Sequence, residues 1–150
     1  MAKASSGRAV RVTPFLLFFW KVHRLILSAS NGRLGQRLGP GRQLLLITRG
    51  RRSGRERPVA LTYVEDAGRW IVVASNAGED RHPAWWLNLR ADPHVAVEVG
   101  GNKVAVIATE IAEPERSRLF QRFVDEADVN YAQYQRRTRR QIPVVALEPK

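Results

Sequence analysis

The sequence predicts a mainly β, α+β fold: a six-stranded antiparallel β-barrel with peripheral helices. Three observations carry that prediction. Short runs of apolar β-formers recur from residue 43 onward, separated by tight turns rather than long crossovers. Between them lie brief segments opened or stopped by proline, as short helices are. With 150 residues, 44% hydrophobic and 26% charged, the chain has apolar surface for one core and an ordinary globular balance.

Residues 1–10 are polar and basic and read as a loose tail. The run PFLLFFW at 14–20 is interrupted by Lys21, His23 and Arg24, short of the roughly 20 apolar residues a spanning helix needs. No small-residue cleavage site follows it, which argues against a signal peptide. An amphipathic helix fits: Phe15, Phe18, Phe19, Val22, Leu25 and Ile26 lie near one face, with Arg11, Lys21 and Arg24 available to an anionic surface. Capping of the domain's own core by the same face is the favoured reading over membrane contact. Residues 1–28 are therefore expected to be a flexible tail and amphipathic helix, and residues 29–150 the barrel domain. The connector NGRLGQRLGPG at 31–41 is rich in glycine, but its spacing does not match G-x-G-x-x-G and a strand follows it, so it is not a dinucleotide fingerprint.

Strands are expected at 44–48, 57–64 and 70–74, forming a three-strand meander with a turn at 66–68. Residues 83–89 read as a short helix with Pro83 at its first turn. Alternating valines place a hairpin at 95–99 and 103–111 around the turn GGN. Helices follow at 114–124 and 131–140, and a last strand at 144–147 after Pro143.

Charge sets the kind of ligand. Lys plus Arg number 25 against 14 Asp plus Glu, a net +11 that favours nucleic acid, anionic lipid or phosphorylated and polycarboxylate small molecules. The absence of cysteine excludes disulfides, thiolate catalysis and cysteine metal sites and suits a cytoplasmic protein. His23, His82 and His94 are too scattered for a metal motif.

The densest chemistry is TRGRRSGRERP at 48–58, five arginines in eleven residues. Glycines at 50 and 54 permit a tight loop that turns backbone N–H groups to one side. Arg51, Arg52, Arg55 and Arg57 add guanidinium forks that grip phosphate or carboxylate oxygens in pairs, and Ser53 adds a hydroxyl. It is not a Walker loop, because the lysine and the following helix are missing. Taken alone, it is also what a solvated basic turn looks like. A second segment, ASNAGEDRHPAWWLNL at 74–89, runs through small residues into a helix with Trp85 and Trp86, a slot and a flat wall for a planar ring, with core packing the competing reading for either tryptophan. His82 reads as a local hydrogen-bonding or capping group. In the third segment, NYAQYQRRTRR at 130–140, Tyr131 and Tyr134 share a helix face at i and i+3, while Arg136, Arg137, Arg139 and Arg140 read as a solvated basic face.

These pieces, LLLITRGRRSGRER at 44–57, VASNAG at 73–78, HPAWWLNL at 82–89 and YAQYQRRTRRQIP at 131–143, resemble in order the deazaflavin-dependent nitroreductase family, a branch of the split-barrel flavin-binding proteins that uses coenzyme F420. The resemblance runs over about residues 19–149. It implies a split antiparallel β-barrel and a coenzyme with a planar deazaflavin, a phosphodiester and an oligoglutamate tail. By that resemblance Arg51, Arg52, Ser53, Gly54 and Arg57 form the phosphate and tail site. Ala74, Ser75, Asn76, Ala77 and Gly78 line the ring, supported by Trp85 and Asn88. Family members commonly carry lysine and glycine where Asn76 and Ala77 stand. Tyr131 and Tyr134 match tyrosines that face the substrate, with Tyr134 a candidate proton or hydrogen-bond donor.

The activity so implied is hydride transfer from reduced F420 to an electron-poor acceptor: a quinone, an activated enone or a nitroaromatic. No metal is needed. A quinone acceptor would give the N-terminal helix a role as a peripheral contact with the inner face of the membrane, and split-barrel relatives are often homodimers. Rival readings are a non-catalytic F420 carrier, the same fold with flavin mononucleotide (FMN), or a basic nucleic-acid-binding barrel. Against the last, the arginines concentrate at one loop and one helix with no recognised nucleic-acid signature.

Overall fold

The computed structural model describes residues 42–127 and 129–150, so the expected N-terminal helix and glycine-rich connector lie outside the described residues. Seven strands form a single antiparallel sheet: β1 (Gln43–Arg49), β2 (Glu56–Thr62), β3 (Val64–Asp66), β4 (Arg69–Val73), β5 (His94–Val99), β6 (Asn102–Glu110) and β7 (Val144–Pro149). Among the described residues three α-helices accompany them: α1 (Ala84–Ala91), α2 (Glu115–Glu126) and α3 (Tyr131–Arg137).

The strand order is β2-β1-β5-β6-β7-β4-β3. Its two edge strands, β2 and β3, are successive in the chain and joined by Tyr63 alone. A sheet whose opposite edges are one residue apart must curl back on itself, which gives the mainly β, curled half-barrel. Two expectations are corrected here. Among the described residues there are seven strands rather than six, because the run expected at 57–64 is divided at Tyr63: its N–H still continues the β1–β2 register by donating to the Arg42 carbonyl at 2.9 Å, whereas Val64 pairs with Ile71 of β4. The meander of the first three strands is also absent: β2 pairs only with β1, while β4 pairs with β3 and β7.

Side-chain alternation separates two cores. Leu44 and Leu46 of β1, Val97, Val106, Val72, Val145 and Leu147 fill the inside of the curl together with Trp85, Trp86 and Leu89 of α1. The other faces of β4 and β7 send Ile71, Val73, Val144 and Ala146 outward against Leu119 and Phe123 of α2 and Tyr131 of α3. β7 is covered on both faces, which explains its unbroken run VVAL.

An ionic cluster pins α2 over the β3–β4 turn. Asp66 accepts hydrogen bonds from Arg69 at 2.9 Å and from both guanidinium nitrogens of Arg118 at 3.1 Å, with Arg122 at 3.3 Å. These hydrogen bonds, led by Arg118, hold its carboxyl at about 2, below the usual 3.8. A depressed carboxylate stabilises the fold above its unfolded value and loses that contribution as pH falls from about 4 through about 2. Asp66→Asn is expected to cost on the order of 1–2 kcal/mol at pH 7 and to flatten the loss of stability between pH 4 and pH 2. Urea unfolding of both proteins at pH 7 and pH 3 checks this; parallel losses in the two would contradict it.

Candidate cofactor and substrate site

The arginine loop joins β1 to β2 as a closed turn. Gly50 N–H donates to the Arg55 carbonyl at 2.8 Å, Gly54 N–H to the Gly50 carbonyl at 2.7 Å, and Arg55 N–H to Ser53 Oγ at 3.3 Å. Gly54 turns the chain at φ 68°, the left-handed region.

The loop is tied to α1 by a buried asparagine. Asn88, 5% exposed, accepts at Oδ1 from the Arg51 N–H at 3.2 Å and from Arg51 Nη1 at 3.3 Å. Its Nδ2 donates to Thr48 Oγ1 at 3.1 Å, and that hydroxyl donates to the Arg57 carbonyl at 3.3 Å. Both ends of the loop are thus fixed to one helix side chain.

Between loop and helix lies a cleft of about 460 Å³, lined by Arg51, Arg52, Ser53, Arg57, Trp85 and Asn88, with Gly50, Pro58, Val59 and Ala84 completing it. Six sequence-predicted residues therefore meet at one place, while Gly54 shapes the turn beside it. Trp85 supplies the apolar wall; Trp86 packs in the inner core. Sequence reasoning missed Thr48, Pro58, Val59 and Ala84. Alternation from Arg57 to Val59 and the i, i+4 spacing of Ala84 and Asn88 were the available signals.

The electrostatics of the cleft differ from those of the α2 cluster. Arg69, Arg118 and Arg122 all have carboxylate partners, whereas Arg51, Arg52 and Arg57 have none among the described residues. The amides of Arg52 and Ser53 likewise find no acceptor there. Exposed cations without carboxylate partners, beside amides with no acceptor among the described residues, are the donor set a phosphate requires.

Ala74–Gly78 do not line this cleft. They follow β4 as a turn leading through residues 79–83 into α1, and they dock on α3. Asn76, Ala77 and Gly78 all have positive φ (46°, 54° and 80°), a rare run for two non-glycine residues. Gly78 is buried where α3 passes: a Cβ there would lie 2.7 Å from the Tyr134 carbonyl oxygen and 2.9 Å from Tyr134 Cα.

The two tyrosines occupy different environments. Tyr131 is 7% exposed, set edge-on against Phe123 at 5.2 Å, and its hydroxyl shares a hydrogen bond with the Thr62 side chain. Burial pushes its phenol pKa up. Tyr134 is half-buried, 5.8 Å from the Tyr131 ring, with the Arg137 guanidinium 6.0 Å from its centroid. His82 accepts or shares a hydrogen bond at Nδ1 with Arg140 Nη1 at 3.3 Å, and burial followed by the charge of Arg140 lowers its pKa, favouring the neutral imidazole. Arg140 departs from the solvated face expected of it: it is half-buried and bonded throughout. Among the described residues no cluster of His, Cys, Asp and Glu could hold a metal.

Comparison with known proteins decides what this geometry belongs to. The family model for F420H(2)-dependent quinone reductases matches residues 20–149. The chain belongs to the F420H(2)-dependent quinone reductase family. An F420H(2)-dependent quinone reductase of Mycobacterium tuberculosis is 40% identical over 131 residues, covering 85% of this chain and 87% of that one. The solved structure of an F420-H2 dependent reductase superposes with a TM-score of 0.64 at 36% identity, over 71% of this chain and 93% of its own. A second solved structure, described only as a domain-swapped dimer, has a TM-score of 0.68 at 30% identity over 91% of this chain and 100% of its own. Reduced coenzyme F420 is the cofactor of this quinone reductase family, and the residues here fit such a group: guanidinium forks without carboxylate partners and amides without acceptors among the described residues for its anionic part, and a tryptophan-walled cleft beside them.

Proposed function

We propose that the protein reduces quinones with the hydride of reduced coenzyme F420, accepting other electron-poor acceptors such as activated enones and nitroaromatics. The observation that carries the reading is the cleft in which Arg51, Arg52 and Arg57, all without carboxylate partners, face Trp85 and Asn88. Reduced F420 supplies the hydride when bound; the protein supplies orientation and electrostatics. In this reading Arg51, Arg52, Ser53 and Arg57 hold the phosphate and tail, with Gly54 setting the turn. Asn88 fixes Arg51, and Trp85 walls the cleft. Ala74, Ser75, Asn76, Ala77 and Gly78 line the ring. Tyr134, half-buried, donates a hydrogen bond or proton to the acceptor oxygen where negative charge develops. Tyr131, buried and already bonded to Thr62, supports Tyr134 from behind.

Among the described residues no helix is long and apolar enough to cross a membrane. Contact with the inner face of the membrane is assigned to residues 1–28; unchanged liposome binding after their deletion would remove it. A homodimer belongs to the same reading, motivated by the 30% identical dimeric structure.

The test is a fluorescence titration of the full chain with oxidised F420 beside FMN, repeated with Arg51→Ala/Arg52→Ala. Binding of F420 in preference to FMN is expected, weakened roughly a hundredfold or more in the double variant. Equal affinity in the double variant would return the loop to a solvated basic turn. Equal binding of FMN would exchange the cofactor.

A further inference from the structure

Arg140 makes more hydrogen bonds across the candidate site than any arginine of the loop. Its Nε donates to the Glu79 carbonyl at 2.9 Å, Nη1 and Nη2 each to the Ala74 carbonyl at 3.2 Å, and Nη2 to the Ser75 carbonyl at 2.8 Å. Nη1 also meets His82 Nδ1 at 3.3 Å. One guanidinium therefore holds the start and end of the turn that follows β4, and His82, two residues before α1.

Arg140 is itself held. Its N–H donates to Thr138 Oγ1 at 3.3 Å, and its carbonyl accepts from Gln135 Nε2 at 2.9 Å. Gln135 Oε1 in turn accepts from buried Arg116 at 3.1 Å, and Arg116 donates to the Ile142 carbonyl at 2.7 Å. Thr138 Oγ1 bonds Asp80 at 2.8 Å from the other side of the turn. The support runs from α2 through α3 to the turn.

The consequence follows from peptide planarity. In a trans peptide the C=O of one residue and the N–H of the next point in opposite directions. With the carbonyls of Ala74 and Ser75 drawn to Arg140, the amides of Ser75 and Asn76 are turned away from it. Ser75 is right-handed helical (φ −73°, ψ −35°) and Asn76 left-handed (φ 46°), the alternation that makes successive N–H groups converge. The amides of Ser75, Asn76 and Ala77 have no acceptor among the described residues.

We propose that Arg140 is a positioning residue of the hydride-transfer reaction, fixing the turn so that these converging amides face the oxygen and nitrogen edge of the deazaflavin ring. The proposal rests on the functional reading above, in which this turn lines the ring. Arg140 touches neither coenzyme nor acceptor; it acts through the backbone it holds. Lysine cannot replace it, because a single ammonium cannot span three carbonyls as the planar fork does.

The experiment compares the full chain with Arg140→Lys and Arg140→Met. First, hydrogen exchange is followed at the amides of Gly78 and Glu79, which close the turn onto Ser75 and Asn76, without coenzyme. At least roughly tenfold faster exchange is expected in both variants, with the β4 and β7 amides unchanged. Second, oxidised F420 is titrated by fluorescence and absorption. Roughly tenfold weaker binding is expected, with the absorption band of the bound coenzyme displaced towards that of the free one, and kcat reduced more than KM for the quinone. Wild-type exchange at Gly78 and Glu79, or wild-type affinity and spectrum in Arg140→Lys, would overturn the proposal. If the unsubstituted chain binds no F420, the functional reading fails and the proposed role towards the ring fails with it, while the exchange data still decide whether Arg140 orders the turn.

Discussion

Replacing Asn88 with leucine is expected to weaken coenzyme binding roughly tenfold to a hundredfold and to destabilise the fold by about 1–3 kcal/mol. Leucine matches the volume and keeps the apolar contacts of α1, so the effect isolates the polar links. Lost are the acceptor for the Arg51 amide, the acceptor for one Arg51 guanidinium nitrogen, and the donor to the buried Thr48 hydroxyl. The first two let Arg51 swing out of the cleft; the third leaves a hydroxyl that is 1% exposed with one partner fewer. Asn88→Asp separates the contributions. It retains both acceptor contacts with Arg51 but adds negative charge beside the anion site, so it should fold better than the leucine variant and bind F420 no better. Isothermal titration with oxidised F420 and urea unfolding of both variants check this. Affinity within twofold of wild type for Asn88→Leu would show that Asn88 does not organise the loop.

The arginine cleft was legible because its residues lie in two short, chemically dense strings. Arg51, Arg52, Ser53 and Arg57 fall within one turn, and Trp85 and Asn88 within one helix, so local pattern was enough to nominate them. What the strings did not show was the link between them: Asn88 lies 37 residues from Arg51, and no periodicity reports that distance. Arg140 was misread for a different reason. Helical spacing grouped it with Arg136, Arg137 and Arg139, but α3 ends at Arg137 and Thr138 is extended (φ −123°, ψ 148°). Beyond that point the helical face no longer applies, and Arg140 turns inward.

The fold follows the same division. The hairpin of β5 and β6 is set by alternation, the strand β7 by its apolar run after Pro143, and α1 and α2 by the prolines Pro83 and Pro114 that open them, all of which act locally. The break at Tyr63 is not, since Thr62, Tyr63 and Val64 are all good β-formers and nothing in the string marks a boundary. It is imposed by closure of the sheet, as β2 must stay on β1 while β3 joins β4 at the opposite edge. Pairing of β4 with β7, more than 70 residues later, is likewise a property of the curl.

Gly78→Ala should have the largest effect on stability, about 2–4 kcal/mol, lowering Tm by roughly 5–15 °C. Two costs add there. At φ 80° an alanine is strained whatever the space, and its Cβ would meet backbone atoms of Tyr134 at 2.7 and 2.9 Å, which cannot rotate aside. Its neighbour gives the opposite sign. Ala77 is exposed and held at φ 54°, ψ 24°, so Ala77→Gly relieves the left-handed strain at the expense of unfolded-state entropy and should gain about 0.5–1 kcal/mol. Thermal unfolding of the two variants tests the pair; shifts of the same sign would mean that backbone strain does not govern this turn. The pair also separates the halves of the site. Lifting the turn off α3 in Gly78→Ala leaves the Asn88–Arg51 link untouched, so a folded variant should keep its response to inorganic phosphate at the arginine cleft while losing affinity for the whole coenzyme. If both are retained, the turn after β4 contributes nothing to coenzyme binding, and the ring must be held elsewhere in the cleft.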